Sequence, residues 1–324
     1  MSSVPDRLQT ALARARQLGE TLPFPAEGRT HELWAALSDL GGESLSVARV
    51  VEPHLDARHI LHEAERHDDF TGSHEVWGVF AAEGPGTRLR AHRDAGGWSL
   101  SGRKPWCSLA EHLDRAVVTA WVDDTARGLF AVDLRHPGVT VVHEPWVARG
   151  LIDIVSGPID LDDVPADPVG APGWYLDRPG FVWGGIGVAA IWFGAARALG
   201  QRLTPVEGGR PPDQIALMHL GRVDVALASA RLSLGEAADL IDAAPVGGDR
   251  ARRLASRVRS TVALAAEAVL EATAHGLGPG PLVRDDWYAA ATADLHLYLR
   301  QWHAERDLAA LGAVTARHTV GGPG

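Results

Sequence analysis

The feature that most constrains the fold is a series of short strand-like segments between about residues 75 and 172, with no helix-length segment among them. These segments alternate with period two or are rich in β-branched and aromatic residues, and turn signals such as Pro137-Gly138 separate them. A Rossmann-type unit needs helices between its strands, so the pattern instead predicts an antiparallel barrel or sandwich. The predicted strands are residues 76–80, 98–102, 116–122, 129–132, 139–142 and 154–161.

Helical patterns precede this section. Apolar residues recur at helical spacing over residues 4–18. A second helix is predicted at 31–40, ended by the pair Gly41-Gly42, and a third at 44–66, where Pro53 is a break or kink. The front of the chain, residues 1–74, is therefore predicted to be a short helical section.

Four long helices are predicted after residue 173, joined by short links, as is typical of an antiparallel four-helix bundle. The first covers residues 181–203, Asp213 and Asp249 are the predicted N-caps of the next two, and the last runs from 285 to 311. The predicted fold class is therefore α+β. Its sections are the helical front (1–74), the β-domain (75–172) and the C-terminal bundle (173–324).

Composition and charge restrict the partners. The formal net charge is −10, and the arginines of residues 250–259 have the spacing of a solvated helix face, so no nucleic acid is expected. The longest apolar stretch, 181–199, is interrupted by four glycines and an arginine, and it predicts a buried helix rather than a membrane span. The start of the chain has no secretory signal pattern, and the single cysteine, Cys107, excludes an internal disulfide. The cytoplasm is the expected compartment.

Two kinds of motif, clustered histidines and glycine-rich segments, are typical of ligand sites but are interpreted as surface residues and turns. His62-Glu63 is followed by His67, one residue too late for a same-face zinc pair on a helix, so the histidines of residues 54–74 are interpreted as solvated and no metal site is predicted. The glycine-rich segment 83–87 lies between strand signals, and 276–280 lies between helices. Both are interpreted first as turns, because neither has the strand–loop–helix context of a phosphate-binding loop.

Residues 97–108, Gly-Trp-Ser-Leu-Ser-Gly-Arg-Lys-Pro-Trp-Cys-Ser, carry the most specific pattern in the chain. The segment resembles a strand of the acyl-CoA dehydrogenase family, in which Gly, an aromatic residue, Leu, Gly, Lys, Trp and Ser or Thr recur at these positions. Asp213-Gln214 resembles the start of that family's long helix, and His275-Gly276-Leu277-Gly278 with Arg284-Asp285 resembles its Gly-rich and Arg-Asp motifs. The resemblance spans about residues 75–312.

The resemblance implies an FAD cofactor. Trp106 would pack near the isoalloxazine ring, although an indole on a strand can also be a core residue. The hydroxyl or backbone N–H of Ser108 would face flavin N5, where a donor stabilises the charge that arrives with hydride. Backbone groups of Phe80 and Ala82 would line the pyrimidine edge. The residues implied at the adenine and pyrophosphate end, contributed by a neighbouring subunit, are Gln214, Gly276 and Gly278.

The catalytic base of the family has no direct counterpart in this sequence. Acyl-CoA dehydrogenation needs a carboxylate to remove the α-proton. The family's usual position on the last helix falls on Ala293, and residues 182–197 contain no Asp or Glu at the alternative position. Asp294, about 100° further around the helix, is the predicted base, with His296 as a weaker candidate. Otherwise, Asp294 belongs to a solvated helix face.

Other departures affect the cofactor and substrate sides. Residues 207–212 replace the family's Arg-x-x-Phe-Gly loop, and the short helical front would leave the acyl pocket more open. The leading hypothesis is an FAD-dependent oxidoreductase that dehydrogenates an acyl thioester or another small molecule, with an electron-transfer protein as partner. A flavin-dependent oxygenase and a non-catalytic binding protein of the same fold are the alternatives. The family also implies a homodimer or homotetramer.

Overall fold

The computed structural model describes residues 4–70, 74–205, 211–244 and 246–320. The loop predicted to depart from the family at 207–212 therefore lies largely outside the described residues. The chain divides into two compact units, of which the first comprises Met1–Leu22, Arg49–Ala148 and Ile152–Phe181. The second comprises Pro23–Ala48, Arg149–Leu151 and Val182–Gly324. The division into three sections remains a prediction.

The first unit contains a seven-stranded sheet together with helices α1 (Val4–Thr21) and α4 (Trp174–Asp177) and most of α3 (Leu45–Glu63). Pro53 lies within α3 and does not end it. The strands are β1 (Trp77–Phe80), β2 (Leu89–Asp94), β3 (Gly97–Lys104), β4 (Arg115–Trp121), β5 (Arg127–Asp133), β6 (Val139–Val141) and β7 (Ile159–Pro168).

The sheet closes on itself. The strand order is β1-β4-β2-β3-β7-β5, and β5 pairs in turn with β4, while β6 pairs with β7. The pairs β2–β3, β3–β7, β4–β5, β5–β7 and β6–β7 are antiparallel, as predicted for a barrel. The exceptions are β1 along β4 and the single contact of β2 with β4, both parallel.

Two strand predictions need correction. Strand β2 was not predicted, because its sequence Leu-Arg-Ala-His-Arg-Asp has no β-branched residue and only Leu89 and Ala91 are buried. Residues 154–158 were predicted as the start of a strand, but β7 begins at Ile159. The carbonyls of Val155 and Gly157 instead accept hydrogen bonds from a loop, so this segment forms no regular ladder.

The regular elements in the described residues of the second unit are helices joined by loops, and the unit also contains the short segment 149–151. Asp213 caps α6 as predicted, because its Oδ1 accepts the N–H groups of Ile215 at 3.0 Å and Ala216 at 2.9 Å. The Asp249 cap was wrong, since Gly247 is the N-cap of α7. The last bundle helix is broken at residues 299–301. The helices are α2 (Thr30–Glu43), α5 (Gly180–Gln201, from Val182 onward), α6 (Gln214–Ala243), α7 (Gly248–Leu277), α8 (Gly280–Arg284), α9 (Asp286–Tyr298) and α10 (Glu305–Val320).

Helices α2 and α5 approach each other through glycines. Gly41 does not end α2 as predicted; a Cβ on it would overlap the carbonyl of Ile191 in α5. A Cβ on Gly194 would likewise overlap the carbonyl of Ser38 in α2. The two glycines are therefore needed where the two helix backbones touch. The sequence interpretation of Gly41 as the end of a helix did not predict this contact.

Helix α5 is also the one described helix that is long and apolar enough to cross a membrane by length and composition. In the window that meets this test, 72% of the helix is buried inside the fold. This degree of burial is typical of a core helix and agrees with the predicted buried helix at this position.

Gly194→Ala should lower the free energy of unfolding by about 1–3 kcal/mol, because the added methyl group forces the two helix backbones apart. Gly221→Ala on α6 is the matched control, since a Cβ at that position would have nothing within 4 Å of it. That control should raise the free energy by about 0.5–1 kcal/mol through helix propensity. Chemical denaturation of both variants measures the difference, and equal effects would reject the helix contact.

Candidate functional site

The loop between β3 and β4 presents an exposed indole in a strained conformation. The backbone N–H groups of Cys107 and Leu109 donate to the carbonyls of Gly157 at 2.9 Å and Val155 at 2.8 Å. With its neighbour Cys107 held in this way, Trp106 has a φ of 60° and a side chain that is 56% exposed. A left-handed conformation costs a non-glycine residue roughly 1–2 kcal/mol. A strained, exposed aromatic residue on a fixed loop is typical of a ligand contact.

The hydroxyl of Ser108 belongs to a short chain of hydrogen bonds within the first unit. It lies 2.7 Å from the Ser156 hydroxyl, which in turn donates to the carbonyl of Ile154 at 3.1 Å. The Arg49 guanidinium donates to Ser108 Oγ at 3.4 Å and pairs with Glu52 at 3.2 Å. Arg49 and Ser156 were not identified from the sequence, since only the fold brings α3 and residues 154–156 to this loop.

An ion pair between the buried Lys104 and the solvent-accessible Glu83 fixes the start of the same loop. Lys104, the chain's single lysine, donates to Glu83 Oε1 and to Thr119 Oγ1, both at 2.8 Å. Burial lowers the pKa of Lys104, and Glu83 partly offsets this effect. Burial would raise the pKa of Glu83, but the bonds from Lys104, Trp121 and Arg127 outweigh it and lower that pKa. The pair joins the end of β3 to Glu83 and, through the second bond, to Thr119 of β4.

Cys107 is buried next to Trp106, and burial raises the pKa of its thiol to about 12. A thiol with this pKa stays protonated at neutral pH and is a poor nucleophile. The loop therefore offers an aromatic face and hydrogen-bonding groups rather than a reactive sulfur.

The other residues predicted to contact flavin lie in both units. Phe80, at the end of β1, is buried, and Ala82 is exposed. Gln214 is the exposed first residue of α6 in the second unit. A Cβ on Gly276 would meet the Leu203 side chain, and Gly278 has a φ of 64° after the end of α7. Local packing and helix termination thus already require these two glycines, and their role toward a ligand remains a prediction.

Asp294 is buried in the second unit and acts there as a hydrogen-bond acceptor. Its Oδ1 accepts the backbone N–H of Leu151 at 2.5 Å, and its Oδ2 lies 3.5 Å from Ser46 Oγ. Leu151 has a φ of 50°, and a Cβ on Gly150 would overlap the carbonyl of Ala293. The carboxylate thus holds residues 150–151 closely packed against α9. Its role as a base remains a prediction.

The histidines of residues 54–74 are not all solvated, contrary to the sequence interpretation. His54 and His59 are buried, and burial lowers the pKa of each to about 3. His67 folds back because α3 has ended and Glu65 has a φ of 59°, which brings the Nδ1 atoms of His62 and His67 to 3.3 Å. Within the described ranges, no group of three or more His, Cys, Asp or Glu side chains could hold a metal ion.

Comparison with known proteins identifies the fold. No protein-family model matches the chain. The putative acyl-CoA dehydrogenase YdbM of Bacillus subtilis (strain 168) is 32% identical over 127 residues, which cover 35% of this chain and 30% of that protein. The match therefore spans less than a third of the relative's length.

Solved structures match over nearly the whole chain. Butyryl-CoA dehydrogenase from Megasphaera elsdenii has a TM-score of 0.74 and 16% identity, covering 98% of this chain and 99% of that one. The dibenzothiophene monooxygenase TdsC from Paenibacillus sp. A11-2, in a complex with FMN and indole, has a TM-score of 0.73 and 16% identity, covering 97% and 96%. The chain has the acyl-CoA dehydrogenase fold, which confirms the predicted resemblance and fold class. Flavoenzymes with this fold include dehydrogenases and oxygenases.

Asp294→Ala should lower the free energy of unfolding by about 1–3 kcal/mol, because the buried N–H of Leu151 loses its acceptor. Asp294→Asn retains an oxygen at the same distance and should stay within about 1 kcal/mol of wild type. Thermal and chemical denaturation of the two variants give the comparison. An Asn variant as unstable as the Ala variant would show that the charge, rather than the acceptor, stabilises the segment.

Proposed function

We propose that the protein is a flavin-dependent oxidoreductase that performs an oxygenase reaction on a small molecule. The observation that carries this proposal is the state of the base position. By the resemblance, Ala293 falls at the position where the dehydrogenases carry their carboxylate, and Oδ1 of the neighbouring Asp294 accepts the N–H of Leu151. An oxygenase that accepts reduced flavin needs no group to remove an α-proton, so the arrangement suits that reaction better than α,β-dehydrogenation.

The first unit fits a flavin ring at the loop around Trp106. The exposed indole offers an apolar face for a flat heteroaromatic ring. The described contacts give the Ser108 N–H no acceptor, whereas the N–H groups on both sides of it donate to the 154–157 segment. That N–H is therefore available to a carbonyl oxygen at the edge of a ligand ring, which leaves the N5 position to the Ser108 hydroxyl. Burial of Cys107 and the Lys104–Glu83 pair keep the loop rigid, as a preorganised cofactor site requires.

The isoalloxazine ring is common to FMN and FAD. We propose FAD because it is the cofactor that the resemblance to the acyl-CoA dehydrogenase family implies. TdsC, with the same fold, is described in complex with FMN. Contacts of Gln214, Gly276 and Gly278 with the adenine end would favour FAD. Comparison of the affinities of the two flavins therefore tests these three residues together.

The bound flavin would supply two electrons, so that one atom of dioxygen enters the substrate and the other leaves as water. In this reaction, Trp106 would cover one face of the ring, and Ser108 would hold its N5 edge. The Lys104–Glu83 pair holds β3 and with it the loop. The substrate is a small molecule, and indole, which is bound in the TdsC complex, is a suitable first probe.

Dehydrogenation of an acyl thioester is the second candidate. The match to a putative acyl-CoA dehydrogenase favours it. In that reaction, Asp294 would have to act as the base, with His296 as the weaker candidate, while hydride passes to flavin N5. A non-catalytic binding protein that keeps the fold is the third interpretation, and it predicts no turnover in either assay.

A homodimer or homotetramer is part of the proposal. Helix α6 exposes apolar side chains at intervals of three and seven residues, which suits a contact between copies of the chain. They are Ile215, Met218, Val225 and Leu232. The cytoplasm remains the expected compartment, and an electron-transfer protein, in the form of a flavin reductase, is the expected partner.

The oxygenase proposal predicts product formation from reduced flavin and dioxygen. Purified protein receives FMN or FAD, a flavin reductase with its nicotinamide substrate, isotopically labelled dioxygen, and a panel that includes indole. Mass spectrometry should detect one labelled oxygen atom in a product that forms only with the protein present. Reductase alone is the control, because free reduced flavin also consumes dioxygen.

The same preparation also tests the dehydrogenase. A panel of acyl-CoA thioesters is added without oxygen, and the absorbance of the oxidised flavin is followed. We expect no bleaching. Bleaching that Asp294→Asn abolishes, with flavin still bound, would contradict the oxygenase and establish Asp294 as the base. Protein that binds neither flavin would exclude both reactions.

A further inference from the structure

We propose that Ser156 orients the Ser108 hydroxyl as a hydrogen-bond acceptor toward flavin N5, so that the site favours reduced over oxidised flavin. The proposal rests on the proposed function, because it takes Ser108 as the residue beside N5. It adds Ser156 as a positioning residue, acting through Ser108.

The number of available protons decides which group donates in each hydrogen bond between Ser108, Ser156 and Ile154. A serine hydroxyl has a single proton. The Ile154 carbonyl can only accept, so the 3.1 Å bond uses the Ser156 proton. In the 2.7 Å contact between the two hydroxyls, Ser108 must therefore be the donor. The Ser108 proton is directed at Ser156 and away from any ligand.

Arg49 uses one of the two acceptor positions of Ser108 Oγ. A guanidinium has no lone pair, so Arg49 is the donor in the 3.4 Å contact and fills one acceptor position. Ser108 Oγ is left with one acceptor position. Glu52, 3.2 Å from Arg49, offsets part of the positive charge beside the hydroxyl, so the proposal rests on the direction of the hydrogen bond.

Flavin N5 changes its hydrogen-bond character with oxidation state. In oxidised flavin, N5 carries a lone pair and can only accept, whereas in two-electron-reduced flavin it carries a proton and donates. An acceptor at Ser108 Oγ pairs with the reduced form and leaves two lone pairs facing each other in the oxidised form. A missing hydrogen bond of this kind changes an affinity by roughly tenfold.

This preference suits a protein that receives reduced flavin from a reductase and releases it once oxidised. A dehydrogenase has to bind oxidised flavin before its substrate arrives and gains from a donor at N5. The direction of the Ser108 hydroxyl therefore distinguishes the two reaction classes independently of Asp294.

Ser156→Ala tests the proposal through affinities rather than turnover. Dissociation constants for oxidised FMN and for photoreduced FMN are measured without oxygen, and FAD is used in the same way if it binds more tightly. Wild type should bind the reduced form roughly tenfold more tightly, and in the variant this ratio should fall to near one. Tenfold corresponds to about 30 mV in the two-electron midpoint potential of the bound flavin, which provides a second readout.

Two controls separate orientation from general disturbance. Ser101→Ala removes a hydroxyl that accepts the Asp163 N–H at 3.0 Å elsewhere in the barrel, and it should leave the ratio unchanged. Ser108→Ala should remove the preference, and the Ser108→Ala/Ser156→Ala double variant should match it, since Ser156 acts only through Ser108. Thermal unfolding verifies that each variant is folded.

The outcomes are distinct for the inference and for the proposed function. Flavin that binds equally in both states to wild type, or more tightly when oxidised, overturns the inference. An unchanged ratio in Ser156→Ala also overturns it. In both cases the flavin site itself stands. Failure of wild type to bind either flavin in either state rejects the proposed function and, with it, the inference.

Discussion

The candidate site depends on the attachment of one loop to one neighbouring segment. The N–H groups of Cys107 and Leu109 donate to the carbonyls of Gly157 and Val155, and this pair of bonds replaces a regular ladder. It exposes Trp106 in a left-handed conformation and brings Ser108 to Ser156. The strain at Trp106 is tolerated because burial of Cys107 contributes free energy on the same loop.

Local patterns were sufficient to predict the fold because most of its elements are locally consistent. Alternation predicted most strands, and Asp213 marked the start of α6. The failures occurred where tertiary contacts override local signals. Gly41 resembles a helix stop but serves a backbone contact with α5, and strand β2 is stabilised by its neighbours rather than by its own residue types.

The candidate site was predictable only in part. The pattern ending at Ser108 identified the loop, since its residues are consecutive in the chain. Arg49 and Ser156 lie about 50 to 60 residues away in sequence and have ordinary local contexts, so nothing short of the fold relates them to Ser108. For Asp294, the sequence predicts the position but not the contacts. Counting along the chain places a carboxylate near the base position but does not predict that it accepts the N–H of Leu151.

Two observations in separate units motivate the proposed reaction class for different physical reasons. Asp294 already holds the buried N–H of Leu151 through its Oδ1, so a role as a base would fall to its Oδ2 and remains a prediction. The Ser108 hydroxyl directs its proton to Ser156 and away from the proposed ligand, because the Ser156 proton is donated to the Ile154 carbonyl. A dehydrogenase needs a free carboxylate and gains from a donor at N5. An oxygenase supplied with reduced flavin needs neither, so both arrangements can be retained without loss of function.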